Sequence, residues 1–118
     1  MVQVIITRQE GVYKSFICSG HAGYASNKGI RGILRPQGDV VCAGVSAIVI
    51  NTVNCLIDLL HEDVGCDYDE QEGGLLTCVF RSVPTKEASL LIDSMIHGLT
   101  WIRKEYGEKY LKFEIEEV

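Results

Sequence analysis

A chain of 118 residues can bury one hydrophobic core but is too short for two ordinary domains. Hydrophobic residues make up 47% and charged residues 23%, a globular balance that excludes intrinsic disorder. A formal net charge of −5 excludes non-specific nucleic-acid binding through a basic surface, and suits a basic protein partner.

Met1 to Arg8 lacks a basic segment followed by a long apolar run, so it is not read as a signal peptide. Val2 to Arg8 reads instead as a strand, with Val2, Val4 and Ile6 on one face. Glu10-Gly11 turns the chain into a second strand, Val12 to Ser19, whose alternation is less clean. Regular patterning then stops. Gly20, Gly23, Gly29, Gly32, Pro36 and Gly38 predict a long flexible loop over about 20–38, and loops of that length are usually functional.

A helix is predicted from Val40, with Asp39 as its N-cap and Val45, Ile48, Val49, Val53, Leu56, Ile57 and Leu60 at helical spacing. Ser46, Asn51, Thr52, Asn54 and Asp58 interrupt this stretch, which is therefore read as a core helix and not a membrane span. Val64 to Asp69 and Leu75 to Arg81, joined through Gly73-Gly74, form a second hairpin. Pro84-Thr85 opens a second helix carrying Leu91, Met95, Leu99 and Ile102, which Gly107 ends. Leu111, Phe113 and Ile115 alternate with polar residues in a closing strand. The expected fold is one α+β domain over 1–118, order ββαββαβ. Its antiparallel sheet carries both helices on one face.

The five cysteines include no Cys-x-x-Cys pair, which argues against a disulfide framework and fits a reducing cytoplasm. Cys18-Ser19-Gly20-His21 has metal-knuckle spacing and Cys42 could join it, but no fourth ligand is evident; no metal and no cofactor are expected.

Cys42 is the residue that asks for chemistry. With Asp39 as N-cap it lies in the first helical turn, where unpaired N–H groups and the helix dipole favour a thiolate. Lowering a thiol pKa by two units takes about 2.7 kcal/mol. A helix end supplies roughly 0.3–1 kcal/mol, and an ionised Asp39 opposes it. A cation is needed, and His21, in the glycine-flanked loop, is the candidate base. The plainer alternatives are a core cysteine and a loop histidine without a task, and spacing alone decides neither. His61 and His97 are weaker candidates, one ending the first helix and one inside the second. Ser46, four residues after Cys42, either hydrogen-bonds the thiolate or a substrate group, or bonds back to the Cys42 carbonyl. Asp39 either orients His21 or only caps the helix. The N–H groups around Val41 to Ala43 are candidate oxyanion donors. Lys28, Arg31 and Arg35 make the loop basic, either as solvated charges or as a grip on substrate.

Gly20-His21-Ala22-Gly23-Tyr24, followed by Gly38-Asp39-Val40-Val41-Cys42-Ala43-Gly44-Val45-Ser46-Ala47, resembles the ribosomal-processing cysteine protease family of bacteria. The resemblance extends over nearly the whole chain. It implies a cytoplasmic endopeptidase that removes a short N-terminal extension from a large-subunit ribosomal protein, cutting after an aromatic residue. It implies catalytic His21 and Cys42, supporting Asp39 and Ser46, a homodimer, and a loop including Gly20 and Gly38 that orders over the substrate peptide. Ala25 to Gln37 is longer than is usual in the family and adds Arg31, Arg35 and Pro36. The alternative from another class is a non-catalytic module that binds a ribosomal protein during ribosome assembly.

Overall fold

Val2, Val4 and Ile6 are almost fully buried while Gln3, Ile5 and Thr7 between them are half exposed, so the first strand presents one face to the core. The computed structural model describes residues 1–20, 36–69 and 74–118, with 36–39 as backbone only. The elements are β1 (Val2–Gln9), β2 (Val12–Ser19), α1 (Pro36–Asn54), β3 (Val64–Asp69), β4 (Leu75–Phe80), α2 (Lys86–Tyr106) and β5 (Leu111–Glu117). α1 runs on through a π-helical turn, Cys55–Leu59. The chain order is ββαββαβ, as expected.

The strands form one sheet in the order β3-β4-β2-β1-β5. β1–β2, β2–β4 and β3–β4 pair antiparallel, but β1–β5 pairs parallel, so the sheet is mixed and not wholly antiparallel. A tight hairpin turn forces antiparallel pairing on its own two strands only. β5 arrives after α2 has carried the chain across the sheet. Its direction is set by where α2 ends, and it lies along β1 with Val4 beside Phe113 and Ile6 beside Ile115.

The uneven alternation of β2 has a structural cause. Thr7 faces Ser15 while Arg8 faces Tyr13, so a bulge absorbs one extra residue of β2. The bulge turns Tyr13 onto the same buried face as Phe16 and Cys18 despite its odd spacing. The Tyr13 hydroxyl then donates to Asp93 Oδ1 of α2 at 2.5 Å.

One core lies between the sheet and the two helices. Val41, Cys42, Val45, Val49, Val53 and Leu56 enter it from α1 and its π turn, and Ala88, Ile92, Met95, Leu99 and Ile102 enter it from α2. The helices approach closely where Gly44 meets Ile102 and where Gly98 meets Ile48. Thr85 caps α2, its hydroxyl accepting from the Ala88 N–H at 3.1 Å and donating to Glu62 Oε2 at 3.0 Å. Val40–Leu59 is long and apolar enough to cross a membrane by composition alone. Its buried stripe accounts for part of that apolarity, and an exposed stripe for the rest.

α1 begins at Pro36, one turn earlier than the predicted start at Val40. Proline has no N–H to leave unpaired and its fixed φ suits the first helical position, so it starts the helix where composition suggests a loop. Asp39 and Gly38 consequently lie within the helical backbone, and Asp39 is not the N-cap. The expected loop loses its last residues, 36–38, to α1; residues 21–35 lie outside the described part of the chain.

Candidate active site

Cys42 is the seventh residue of α1, on its core-facing side, with 6% of its surface exposed. Its neighbour across the core is Cys18 of β2, whose thiol burial pushes up to about 12, with repulsion from Cys42 adding to the effect. Cys18 therefore stays a neutral thiol at physiological pH and puts no negative charge beside Cys42. Cys18 pairs with Val4 of β1 and Leu76 of β4, so it marks the edge of the sheet where β2 finishes and β1 and β4 begin.

One residue further on, at Ser19, β2 ends. Gly20 has φ of +90°, and a Cβ on it would overlap the Met1 carbonyl oxygen. Only glycine meets both conditions without strain. The chain thus leaves the sheet beside the start of β1, two residues after Cys18.

Ser46 lies one turn after Cys42 on α1 and is half-buried. Among the described residues no hydrogen bond joins its hydroxyl to the Cys42 carbonyl, the alternative that spacing left open. The backbones of Gly38 and Asp39 lie within the turn of α1 that precedes Cys42. His21, Arg31 and Arg35, and the side chain of Asp39, lie outside the described residues.

The earlier helix start changes the electrostatics. In a helix beginning at Pro36, the N–H groups of Val41 to Ala43 point at the carbonyls of Gln37 to Asp39, four residues back, and are not spare oxyanion donors. The groups left over are those of Gln37 and Gly38, since Pro36 has none. The helix dipole also fades within the first turn, so Cys42, in the second, receives less than the roughly 0.3–1 kcal/mol of a helix end. Burial works further against a thiolate. The case for a cationic partner strengthens accordingly.

The sequence pattern marks Cys18 only as a possible knuckle ligand and does not show it as the neighbour of Cys42. Its parity with Phe16, and its position three residues before His21, were the available signals. The contact of Gly20 with Met1 had no local signal at all.

The family model described as cysteine protease Prp matches residues 1–112. The chain belongs to the Prp cysteine protease family. The ribosomal processing cysteine protease Prp of Staphylococcus aureus is 34% identical over 111 residues, covering 92% of this chain and 93% of that one. The protein of the same name from Bacillus subtilis is 34% identical over 114 residues, covering 92% of each. SMU.848 from Streptococcus mutans has the same fold, with a TM-score of 0.81, 26% identity and coverage of 100% of this chain and 96% of that one. The S. aureus processing protease with a covalently linked product peptide gives a TM-score of 0.76 and 29% identity over 98% of this chain and 100% of that one. Membership in the Prp family makes the chain a cysteine protease, a hydrolase that cuts peptides through a thiol.

Proposed function

We propose that this protease removes a short N-terminal extension from a large-subunit ribosomal protein, cutting after an aromatic residue, with Cys42 as nucleophile and His21 as general base. The observation that carries the reading is that Cys42 and Cys18 are buried in the same core, near enough for their thiols to interact, and Cys18 stands three residues before His21 in the sequence. The strand that precedes His21 in the sequence and the helix that carries Cys42 therefore contribute to one core. The S. aureus Prp relative was crystallised with a substrate peptide, at a TM-score of 0.79 and 28% identity, which supports a peptide groove on this fold.

In this mechanism His21 takes the Cys42 proton, and the resulting imidazolium supplies the cation that the second helical turn and the buried setting withhold. The Cys42 thiolate attacks the carbonyl carbon after the aromatic side chain. The N–H groups of Gln37 and Gly38, one turn before Cys42, take the oxyanion. His21 returns the proton to the leaving amine, and water then releases the acyl group. Ser46 hydrogen-bonds the thiolate or the substrate from the following turn. Asp39 orients His21, while Gly20, Arg31 and Arg35 belong to the segment that receives the peptide. The protease works in the cytoplasm, where the ribosomal substrate is made.

The enzyme works as a homodimer in this reading. Val40, Ala43, Ala47, Ile50 and Ile57 recur at helical spacing along the outer side of α1, and all are exposed. An apolar stripe of that length is characteristic of an interface, and its small residues allow close helix approach.

Incubating the protein with the extended ribosomal protein tests the activity. The wild type should make one cut after an aromatic residue, while Cys42→Ala should bind the substrate and leave it whole. His21→Ala should lose about 100-fold or more in kcat, the scale of a positioned general base. Binding without cleavage by the wild type would instead establish a ribosomal-protein-binding module.

A further inference from the structure

Cys66 and Cys78 have no part in the proposed protease mechanism. They are directly opposed across the β3–β4 ladder, and the Cys66 thiol donates to the Cys78 sulfur at 3.0 Å. Both are free thiols. β3 is the outer strand of the sheet, which leaves Cys66 exposed, whereas Cys78 is fully buried. Opposed residues of an antiparallel pair have Cα atoms about 4.5–5.5 Å apart, inside the roughly 4.4–6.8 Å range that a disulfide spans. The backbone is therefore already placed for a bond, with one sulfur open to solvent and the other held behind it.

We propose that Cys66 and Cys78 form a reversible cross-strand disulfide when the protein meets a peroxide, a modification site separate from Cys42. The Cys66 thiolate attacks a peroxide oxygen, so that an S–O bond forms, the O–O bond breaks and one water (or alcohol) leaves. The Cys78 sulfur then attacks the Cys66 sulfenic sulfur. The S–S bond forms, the S–O bond breaks, and the Cys78 proton leaves with the hydroxyl as a second water. Each cysteine gives up one electron and the peroxide takes two. Burial holds Cys78 as a thiol, which slows the second step; contact at 3.0 Å offsets this by making it intramolecular. Cys42 is buried in the core and is the poorer target for the same oxidant.

The accessible partner sets the order of events. Cys66 oxidises first and Cys78 resolves it before the sulfenic acid goes further. Cys55 is partly exposed on the π turn and has no sulfur opposed to it in the sheet, so it serves as an internal control for indiscriminate oxidation.

The test exposes the folded full chain to a small excess of hydrogen peroxide, blocks free thiols with an alkylating agent and maps linked peptides without reduction. The expected product is an intramolecular Cys66–Cys78 link, with Cys42 still alkylated. A thiol reductant should restore both free thiols. Cys42→Ala should form the link at the wild-type rate, and Cys66→Ser, at an exposed position, should fold and form none. In Cys78→Ala, Cys66 should run on to the sulfinic acid instead of stopping at a disulfide. Links scattered among all five cysteines, a link between two chains, or over-oxidation of Cys66 in the wild type at the rate of the Cys78→Ala variant would each overturn the proposal.

Discussion

Gly20 combines two constraints, a positive φ and a close backbone approach. Gly11, in the β1–β2 turn, also has a positive φ, +80°, but a Cβ there meets nothing within 4 Å. Gly11→Ala should therefore cost only the left-handed backbone strain, about 1–2 kcal/mol. Gly20→Ala adds an overlap with a backbone carbonyl, which a rotamer change cannot relieve, and should cost clearly more. Urea unfolding of the two variants measures the difference. Equal midpoints would mean that the Met1 contact gives way without cost. Because Gly20 directly precedes His21, Gly20→Ala should also lower kcat more than Gly11→Ala does.

At the scale of elements, α1 has two apolar faces, and the described residues bury one and leave the other exposed. Val45, Val49 and Leu56 are fully buried, while Val40, Ile50 and Ile57 are 53%, 43% and 42% exposed. Ile50→Glu should therefore leave the monomer folded, because its side chain meets solvent there. If the outer stripe forms the dimer, the same charge should shift sedimentation from dimer to monomer at micromolar protein. A variant that stays dimeric would move the interface elsewhere, and a wild type that sediments as a monomer would remove it.

Elements defined by periodicity were legible in the sequence and those defined by long-range placement were not. α2 shows all its signals locally: Thr85 at the N-cap, an apolar stripe and Gly107 with φ of +89° at the end. The start of α1 was hidden because Pro36 and Gly38 are loop residues by composition and helical by context. The direction of β5 against β1 was hidden because no turn connects them. For the active site, the motif residues were legible in order, but that Cys18, on the strand leading to His21, shares a core with Cys42 follows only from the fold.

At the scale of the whole molecule, Tyr13 joins the sheet to the helical layer, and that link titrates. Burial, then the hydrogen bond and repulsion from the Asp93 carboxylate, push its phenol up to about 12, while nearby Arg8 pulls it slightly down. In the unfolded chain the phenol releases its proton near pH 10. Below 10 both states hold the proton and the contribution to stability is complete. Between 10 and 12 only the folded state holds it, so unfolding releases a proton and stability falls as pH rises. Above 12 the contribution is gone. Cys18, raised to about 12 by burial, acts with the same sign from the ordinary thiol range upward, so wild-type stability alone does not isolate Tyr13. Comparison with Tyr13→Phe does. At neutral pH this variant should lose about 1 kcal/mol, the net value of one hydrogen bond, since Asp93 on the helix surface can turn to water. As pH rises from 10 to 12 the wild type should lose its advantage over the variant and the two denaturation curves converge. Curves that remain parallel through that range would mean that the proton on Tyr13 does not hold α2 to the bulge of β2.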